Sequence, residues 1–322
     1  DIVATSGPGG KIGKVWFEQR AFPAQVRRLN ADIAHVPYWG PPLSSPSKLI
    51  VSVLDVIPLA LPEYARGFAN RAYISLVSAA AGGAAHILTL SDAAKGDIVD
   101  YLDIPAQKIT TTHLGLEQRF HPRMGAEHDE AVREKYNLPP QFVLYLGGFD
   151  TRKQVNQLLL AYTYVVQAEG DHIPLVLAGK PPEWGTPPLF ADLPKYAAAL
   201  DLSDVVQWTG FIDEADKAAL YRLADVFVWP SIYEGFGLPP LEAMACGTPT
   251  VAFELDYTKE VLADGAFLVE NARRMAGGII ALLNQEPLRK TMVNQGIARA
   301  THFTWRKTAR ETLDAYARVL AD

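Results

Sequence analysis

Ser231-Ile-Tyr-Glu-Gly-Phe-Gly-Leu-Pro-Pro-Leu-Glu-Ala-Met-Ala-Cys-Gly-Thr-Pro-Thr-Val-Ala-Phe253 reads as a glycine loop, a short helix and a buried strand in succession. Gly235 and Gly237 flank Phe236 and let the backbone turn tightly or approach a ligand closely. Pro239 and Pro240 suit the first turn of a helix, where a missing N–H costs nothing. Gly247 offers a left-handed stop, and Val251 to Phe253 read as a strand. The N–H groups of Phe236, Gly237 and Leu238 then lie at a helix N-terminus, a place suited to anions. Glu242 is expected in the first turn of that helix, and Glu234 on the loop before it. Each acid taken alone reads equally well as an ordinary first-turn or loop residue. Together with the glycines and prolines they point to ligand binding, since an ionised carboxylate is a natural acceptor for paired sugar hydroxyls.

Working outward, short apolar runs alternate with helix-period segments, the pattern of a parallel α/β sheet. Strands are predicted at 2–5, 32–36, 49–53, 85–90 and 108–112. A second series is predicted at 142–146, 175–178, 205–209, 226–228, 250–253 and, more weakly, 266–269. Val155, Leu158, Leu159, Tyr162, Val165 and Val166 share one face of a helix over 154–168. A last helix is predicted over 304–320. Two Rossmann-like domains with a cleft between them are the natural architecture, ligands sitting beyond the carboxyl ends of the strands. The expected divisions are residues 1–130, 138–302 and 303–322.

Composition narrows the function. The 322 residues suffice for two domains, and a net charge of -6 argues against nucleic acid as a partner. The single cysteine, Cys246, excludes an internal disulfide and reads as a small core residue. No run of about 18 apolar residues is present, and no signal peptide is read. A cytoplasmic location is expected, with peripheral attachment at the inner membrane face as a further expectation.

Leu144-Tyr-Leu-Gly-Gly-Phe-Asp-Thr-Arg-Lys153 reads as a strand, a glycine turn and a helix start capped by Asp150 or Thr151. Arg152 and Lys153 in a first helical turn would face the positive end of the macrodipole, which suggests an anion such as a diphosphate between them. The alternative is that both side chains simply point into solvent. Gly148 belongs to the same turn, and Gly179 and Gly210 end the next two strands. Gly210-Phe211-Ile212 could hold a flat base or form an ordinary strand-to-helix turn.

Gly147-Gly-Phe-Asp-Thr-Arg-Lys153, Trp208-Thr-Gly-Phe211 and the segment from Glu234 to Pro249 resemble retaining glycosyltransferases of family four, the group 1 glycosyltransferases of GT-B fold. The resemblance is strong from about 140 to 300 and weaker before. It implies a nucleotide-diphosphate-sugar donor, a guess being GDP-mannose or a UDP-sugar, and transfer to a hydroxyl acceptor that is a glycan, lipid-linked or small. Arg152 and Lys153 would hold the diphosphate and stabilise the leaving group. Glu242 would accept from the ribose hydroxyls. Glu234 and the N–H groups of Phe236 to Leu238 would address the donor sugar and phosphate. No metal and no cofactor beyond the donor are implied.

The N-terminal half departs from the pattern. Val53-Leu-Asp-Val56 resembles the strand end that in the family reads His-Asp-Leu; Leu54 replaces the histidine, and Asp55 remains as the acceptor-side residue. Ile2-Val-Ala-Thr-Ser-Gly-Pro-Gly-Gly10 reads either as a first strand with its glycine loop or as a later region of the family's N-terminal domain. The second reading is preferred, and with it the expectation of a preceding segment or a second polypeptide. The alternative function is a nucleotide-sugar-binding protein of the same fold with weak or no transferase activity. A phosphorylase would need a pyridoxal-phosphate lysine, which is not located, and no Gly-x-Gly-x-x-Gly opens a strand–helix unit as a dinucleotide enzyme requires.

Overall fold

The computed structural model describes residues 10–123, 125–170 and 173–321, so the strand predicted at 2–5 lies outside the described residues. The chain divides into two compact units, one ending at His113 and resuming at Arg306, the other running from Leu114 to Trp305.

The first unit contains a four-stranded parallel sheet in the order β1 (Ile33–Val36), β2 (Lys48–Ser52), β3 (His86–Thr89) and β4 (Ile109–Thr111). One sheet face buries Val36, Val51, Ile87 and Ile109 against Val26, Ala81 and Ile98. On the other, Ile50 and Leu88 meet Ala315 and Val319 of the helix Trp305–Ala321. Those two helical positions are four apart and so share a face. The His35 ring links Tyr316 Oη at 2.6 Å to Ser52 Oγ at 2.9 Å, and Lys48 Nζ donates to the Val319 carbonyl at 2.8 Å. The helix Gly10–Trp16, the π-helical turn Phe17–Ala21 and the helix Phe22–Leu29 precede β1.

The second unit holds six parallel strands: β5 (Val143–Leu146), β6 (Leu175–Ala178), β7 (Val206–Gly210), β8 (Val226–Trp229), β9 (Thr250–Phe253) and β10 (Phe267–Val269). Their spatial order is β10-β9-β8-β5-β6-β7, the doubly wound arrangement whose direction reverses between β5 and β8. β5, β6, β8 and β9 are buried throughout, which explains their unbroken apolar runs. The polar stretch after residue 122 folds into a helix. Its helix Ala126–Lys135 is tied to Lys217–Leu223 by a two-pronged ion pair, Arg222 Nη2 to Asp129 Oδ1 at 2.5 Å and Nε to Oδ2 at 3.1 Å.

At the carboxyl edge the backbone closes on itself at glycines. Gly147 N–H donates to the Ala178 carbonyl at 3.0 Å, and Gly179 N–H to the Gly210 carbonyl at 2.9 Å. Gly179 sits at φ +153, and a methyl group there would overlap the Gly147 carbonyl oxygen. That oxygen is backbone and cannot swing aside. Gly179→Ala is expected to cost about 3 kcal/mol and to lower the Tm by roughly 6–12 °C in a thermal melt.

Candidate active site

Four polar side chains meet where β5 and β8 end side by side. Glu234 Oε1 accepts from Lys153 Nζ at 2.5 Å, lies 2.7 Å from Arg152 Nη1 and accepts from Ser231 Oγ at 2.6 Å. Arg152 Nε lies 3.1 Å from Asp150 Oδ1, and Nη1 donates to the Tyr233 carbonyl at 3.0 Å. The two loops are joined by backbone as well, Ile232 N–H donating to the Arg152 carbonyl at 2.9 Å. Beneath them, Lys153 Nζ stands 4.5 Å from the centre of the Trp229 ring. That ring is pinned by its own N–H to Tyr257 Oη at 3.1 Å, and Tyr257 donates to the Ser231 carbonyl at 2.9 Å.

The side chains of Arg152, Lys153 and Glu234 are 16%, 11% and 13% exposed, so these charges interact through little water. Burial pushes the Lys153 ammonium below its ordinary pKa, with Arg152 adding to the effect and Glu234 opposing it. Burial likewise pushes the Glu234 carboxyl up. Lys153 and Arg152 outweigh it, with hydrogen bonds from Lys153 and Ser231, and the carboxyl ends below the usual carboxylate range.

Two local expectations are corrected. Arg152 and Lys153 do not open the long helix: they belong to a single 3-10 turn, Thr151–Lys153, after which Gln154 turns left-handed at φ 49 and the helix Val155–Glu169 begins. Neither Asp150 nor Thr151 caps it by a side-chain bond; Asp150 is drawn to Arg152 instead. Nor do the two cations point into open solvent, because Glu234 lies across both.

Glu242 is the other correction. The helix runs from Leu238 to Ala245, so Glu242 falls in its second turn and is not a first-turn acid. Gly237 is its N-cap at φ 95, with Pro239 and Pro240 in the first turn. The N–H groups of Phe236 to Leu238 thus stand at this helix start, while the Phe236 ring is buried against Phe303, centroids 5.6 Å apart. Tyr221 Oη donates to Glu242 Oε2 at 2.9 Å. Burial raises the Glu242 carboxyl above its ordinary value, and the Tyr221 hydrogen bond only partly opposes it. A raised carboxyl pKa means that stability is fully present below the ordinary value and is lost as pH rises through the folded one. Glu242→Gln is therefore expected to melt above the wild type at pH 7.5 and level with it at pH 4. Thermal melts at both pH values check this.

Gly148, Gly179 and Gly210 all lie at the same sheet edge, Gly210 at φ +76. Phe211 is 65% exposed just beyond. Beside Gly179 and Gly210 is a cavity of about 250 Å³, walled by Phe149, Trp184 and Trp208. Those three rings touch edge-on or tilted, with centroids 5.3–5.7 Å apart. Sequence reasoning missed this aromatic wall, along with Trp229, Ser231 and Tyr221. All are apolar or neutral residues, and only the fold shows which face they occupy. Cys246 is buried and its thiol pushed up to about 12, as a core residue requires. Asp55 lies in the first unit, where it accepts from the Ile57 N–H at 3.1 Å, and Leu54 is 38% exposed. Among the described residues no group of three His, Cys, Asp or Glu is placed to hold a metal ion, and no helix is long and apolar enough to cross a membrane.

The second unit is thus a doubly wound sheet with paired cations and a carboxylate at its switch point. The profile described as "Glycosyl transferases group 1" matches residues 128–299, and the chain belongs to that family. O-antigen chain mannosyltransferase B of Escherichia coli is 30% identical over 285 residues, 87% of this chain and 73% of that protein. Serotype-specific mannosyltransferase WbdA of the same organism is 29% identical over 279 residues, 85% of this chain but only 34% of that protein. Among solved structures, sucrose-phosphate synthase from Thermosynechococcus elongatus superposes with a TM-score of 0.73 at 22% identity, over 94% of this chain and 77% of that one. The protein is a group 1 glycosyltransferase of GT-B fold.

Proposed function

We propose that the chain moves a hexose, with retention of anomeric configuration and without a metal ion, from a nucleotide-diphosphate donor to a hydroxyl of a growing glycan. The observation that carries this reading is the Arg152–Glu234–Lys153 cluster at the β5/β8 switch point. Mannose on a GDP carrier is the donor of choice, supported by the mannosyltransferases among the relatives; a UDP-sugar is the alternative. The work is proposed to take place at the inner face of a membrane to which the enzyme is peripherally attached.

In this reading Arg152 and Lys153 bind the diphosphate, which takes over part of the charge that Glu234 now neutralises. Glu242 accepts from the ribose hydroxyls. Glu234 and the N–H groups of Phe236, Gly237 and Leu238 address the sugar and its phosphate. Gly148, Gly179 and Gly210 allow close approach, and Phe211 with Gly210 flanks the base. Asp55 belongs to the acceptor side. The bond between the anomeric carbon and the diphosphate oxygen breaks, and its electron pair stays on the phosphate, where the two cations are already placed. The acceptor oxygen attacks the same face and its proton passes to the departing phosphate oxygen. Glu234 is not the nucleophile: it is held by two cations and a hydroxyl, and its low pKa makes it a steady countercharge.

The second reading, a donor-binding protein with little transfer, rests on Leu54, which stands where the family strand end carries histidine. Hydrolysis and transfer assayed across GDP-, UDP- and ADP-sugars, with and without a chelator, decide between them. Turnover that survives the chelator, with an anomer-retained product seen by NMR, is expected. Binding without turnover favours the second reading, and neither binding nor turnover overturns both.

A further inference from the structure

Tyr221 belongs to the helix Lys217–Leu223 and is fully buried. Its ring meets Phe227 of β8 and Phe120 edge-on, with centroids 5.4 and 6.1 Å apart. The Arg119 guanidinium lies over the Phe120 ring in turn, 4.9 Å from its centre. The phenol is therefore fixed by packing before its hydroxyl is considered. A buried tyrosine hydroxyl needs a partner, and a backbone carbonyl suffices, as the Ile173 carbonyl does for Tyr162 at 2.6 Å. Tyr221 instead donates to Glu242 Oε2 at 2.9 Å, the carboxylate assigned above to the ribose.

Glu242 has little else to keep it charged. Lys217 and Arg119 both act on it, but each is paired with Glu214, at 2.6 and 2.5 Å, and Glu214 itself opposes ionisation. The helix Glu286–Ala300, packed against Glu242's own helix, commits Arg299 to the Val261 carbonyl at 3.0 Å. Cys246, on the same turn of backbone as Glu242, is a buried thiol. Burial pushes the Glu242 carboxyl up, and the Tyr221 hydrogen bond is the largest influence against it. An ionised carboxylate only accepts, on both oxygens, whereas a protonated one turns an acceptor into a donor. Two hydroxyls on neighbouring carbons, as in ribose, need the ionised form. Tyr221 takes one site on Oε2 and leaves the other sites to them.

We propose that Tyr221 is a positioning residue of the donor site: its hydroxyl holds the Glu242 carboxylate ionised and aimed, so that the paired ribose hydroxyls of the nucleotide can donate to it. The proposal rests on the reading that Glu242 meets the ribose, and adds the residue that makes Glu242 fit for it.

The test is calorimetric titration of GDP and UDP into the full chain, as wild type, Tyr221→Phe and Glu242→Gln, at pH 6 and pH 8.5. Tyr221→Phe removes one hydroxyl and keeps the ring between Phe120 and Phe227. A carboxyl deprived of that donor takes up its proton at higher pH, so ribose binding is lost earlier as pH falls. Tyr221→Phe is thus expected to weaken the nucleotide that binds roughly tenfold at pH 6 and less than about threefold at pH 8.5. With the 2′,3′-dideoxy form of that nucleotide, Tyr221→Phe and wild type are expected to bind alike. A second measurement needs no ligand: the Glu242 carboxyl, followed by carbon NMR, is expected to titrate at higher pH in Tyr221→Phe than in the wild type. No loss of affinity, the same loss at both pH values, a loss that persists with the dideoxy form, or an unmoved Glu242 titration would each overturn the proposal. Glu242→Gln binding as tightly as wild type at pH 8.5, with the Glu242 titration moved in Tyr221→Phe, sinks the ribose reading instead.

Discussion

Arg152→Ala is expected to slow sugar transfer by roughly 10²–10³-fold while changing nucleotide affinity far less. The guanidinium is fixed from three sides, by Asp150, Glu234 and the Tyr233 carbonyl, before any donor arrives. A charge held in place in advance need not be reorganised when negative charge gathers on the leaving phosphate, and that growth of charge is where its effect is greatest. Ground-state binding is shared with Lys153 and Glu242 and so depends on it less. Steady-state kcat and KM for the preferred donor separate the two. Unchanged turnover together with unchanged affinity would remove Arg152 from the diphosphate site.

Glu234→Ala is expected to be the most destabilising change in the cluster, by about 3 kcal/mol. Without the carboxylate, Lys153 at 11% exposure faces Arg152 with no acid between them, and Ser231 loses the acceptor it reaches at 2.6 Å. Removing one partner from a largely dehydrated ion pair costs more than the pair contributes, because the remaining charge cannot be rehydrated. The double variant Lys153→Met/Glu234→Leu tests that origin. It removes both charges and keeps much of the volume, so urea melts are expected to recover most of the lost stability while transfer stays abolished. A Glu234→Ala protein as stable as the wild type would mean that water screens the cluster.

Much of the second unit was legible in the sequence for a physical reason. Strands buried on both faces leave unbroken apolar runs, and β6 and β9 fall at the predicted residues. The segments that carry the candidate site were legible too, marked by glycines, prolines and paired acids at fixed spacing. Its internal geometry was not. The 3-10 turn at Thr151–Lys153 depends on Gln154 adopting φ 49, a conformation no local propensity favours for glutamine. The pairing of Lys153 with Glu234 spans 81 residues and follows from β5 and β8 lying side by side. Glu242 was placed one turn too early, because the helix begins with Leu238 ahead of its prolines. In the first unit, the helix Gly10–Trp16 and the π-helical turn Phe17–Ala21 carry glycines, aromatics and charges without a clean period.

The central claim, that Arg152, Lys153, Glu234 and Glu242 form one donor-diphosphate clamp, meets its most direct test in calorimetric titration of GDP and UDP, without added metal, into the wild type and Glu242→Ala. The account predicts that one of the two nucleotides binds the wild type and that its affinity falls at least tenfold in Glu242→Ala, even though the variant is folded. Equal affinity in the two proteins would contradict it.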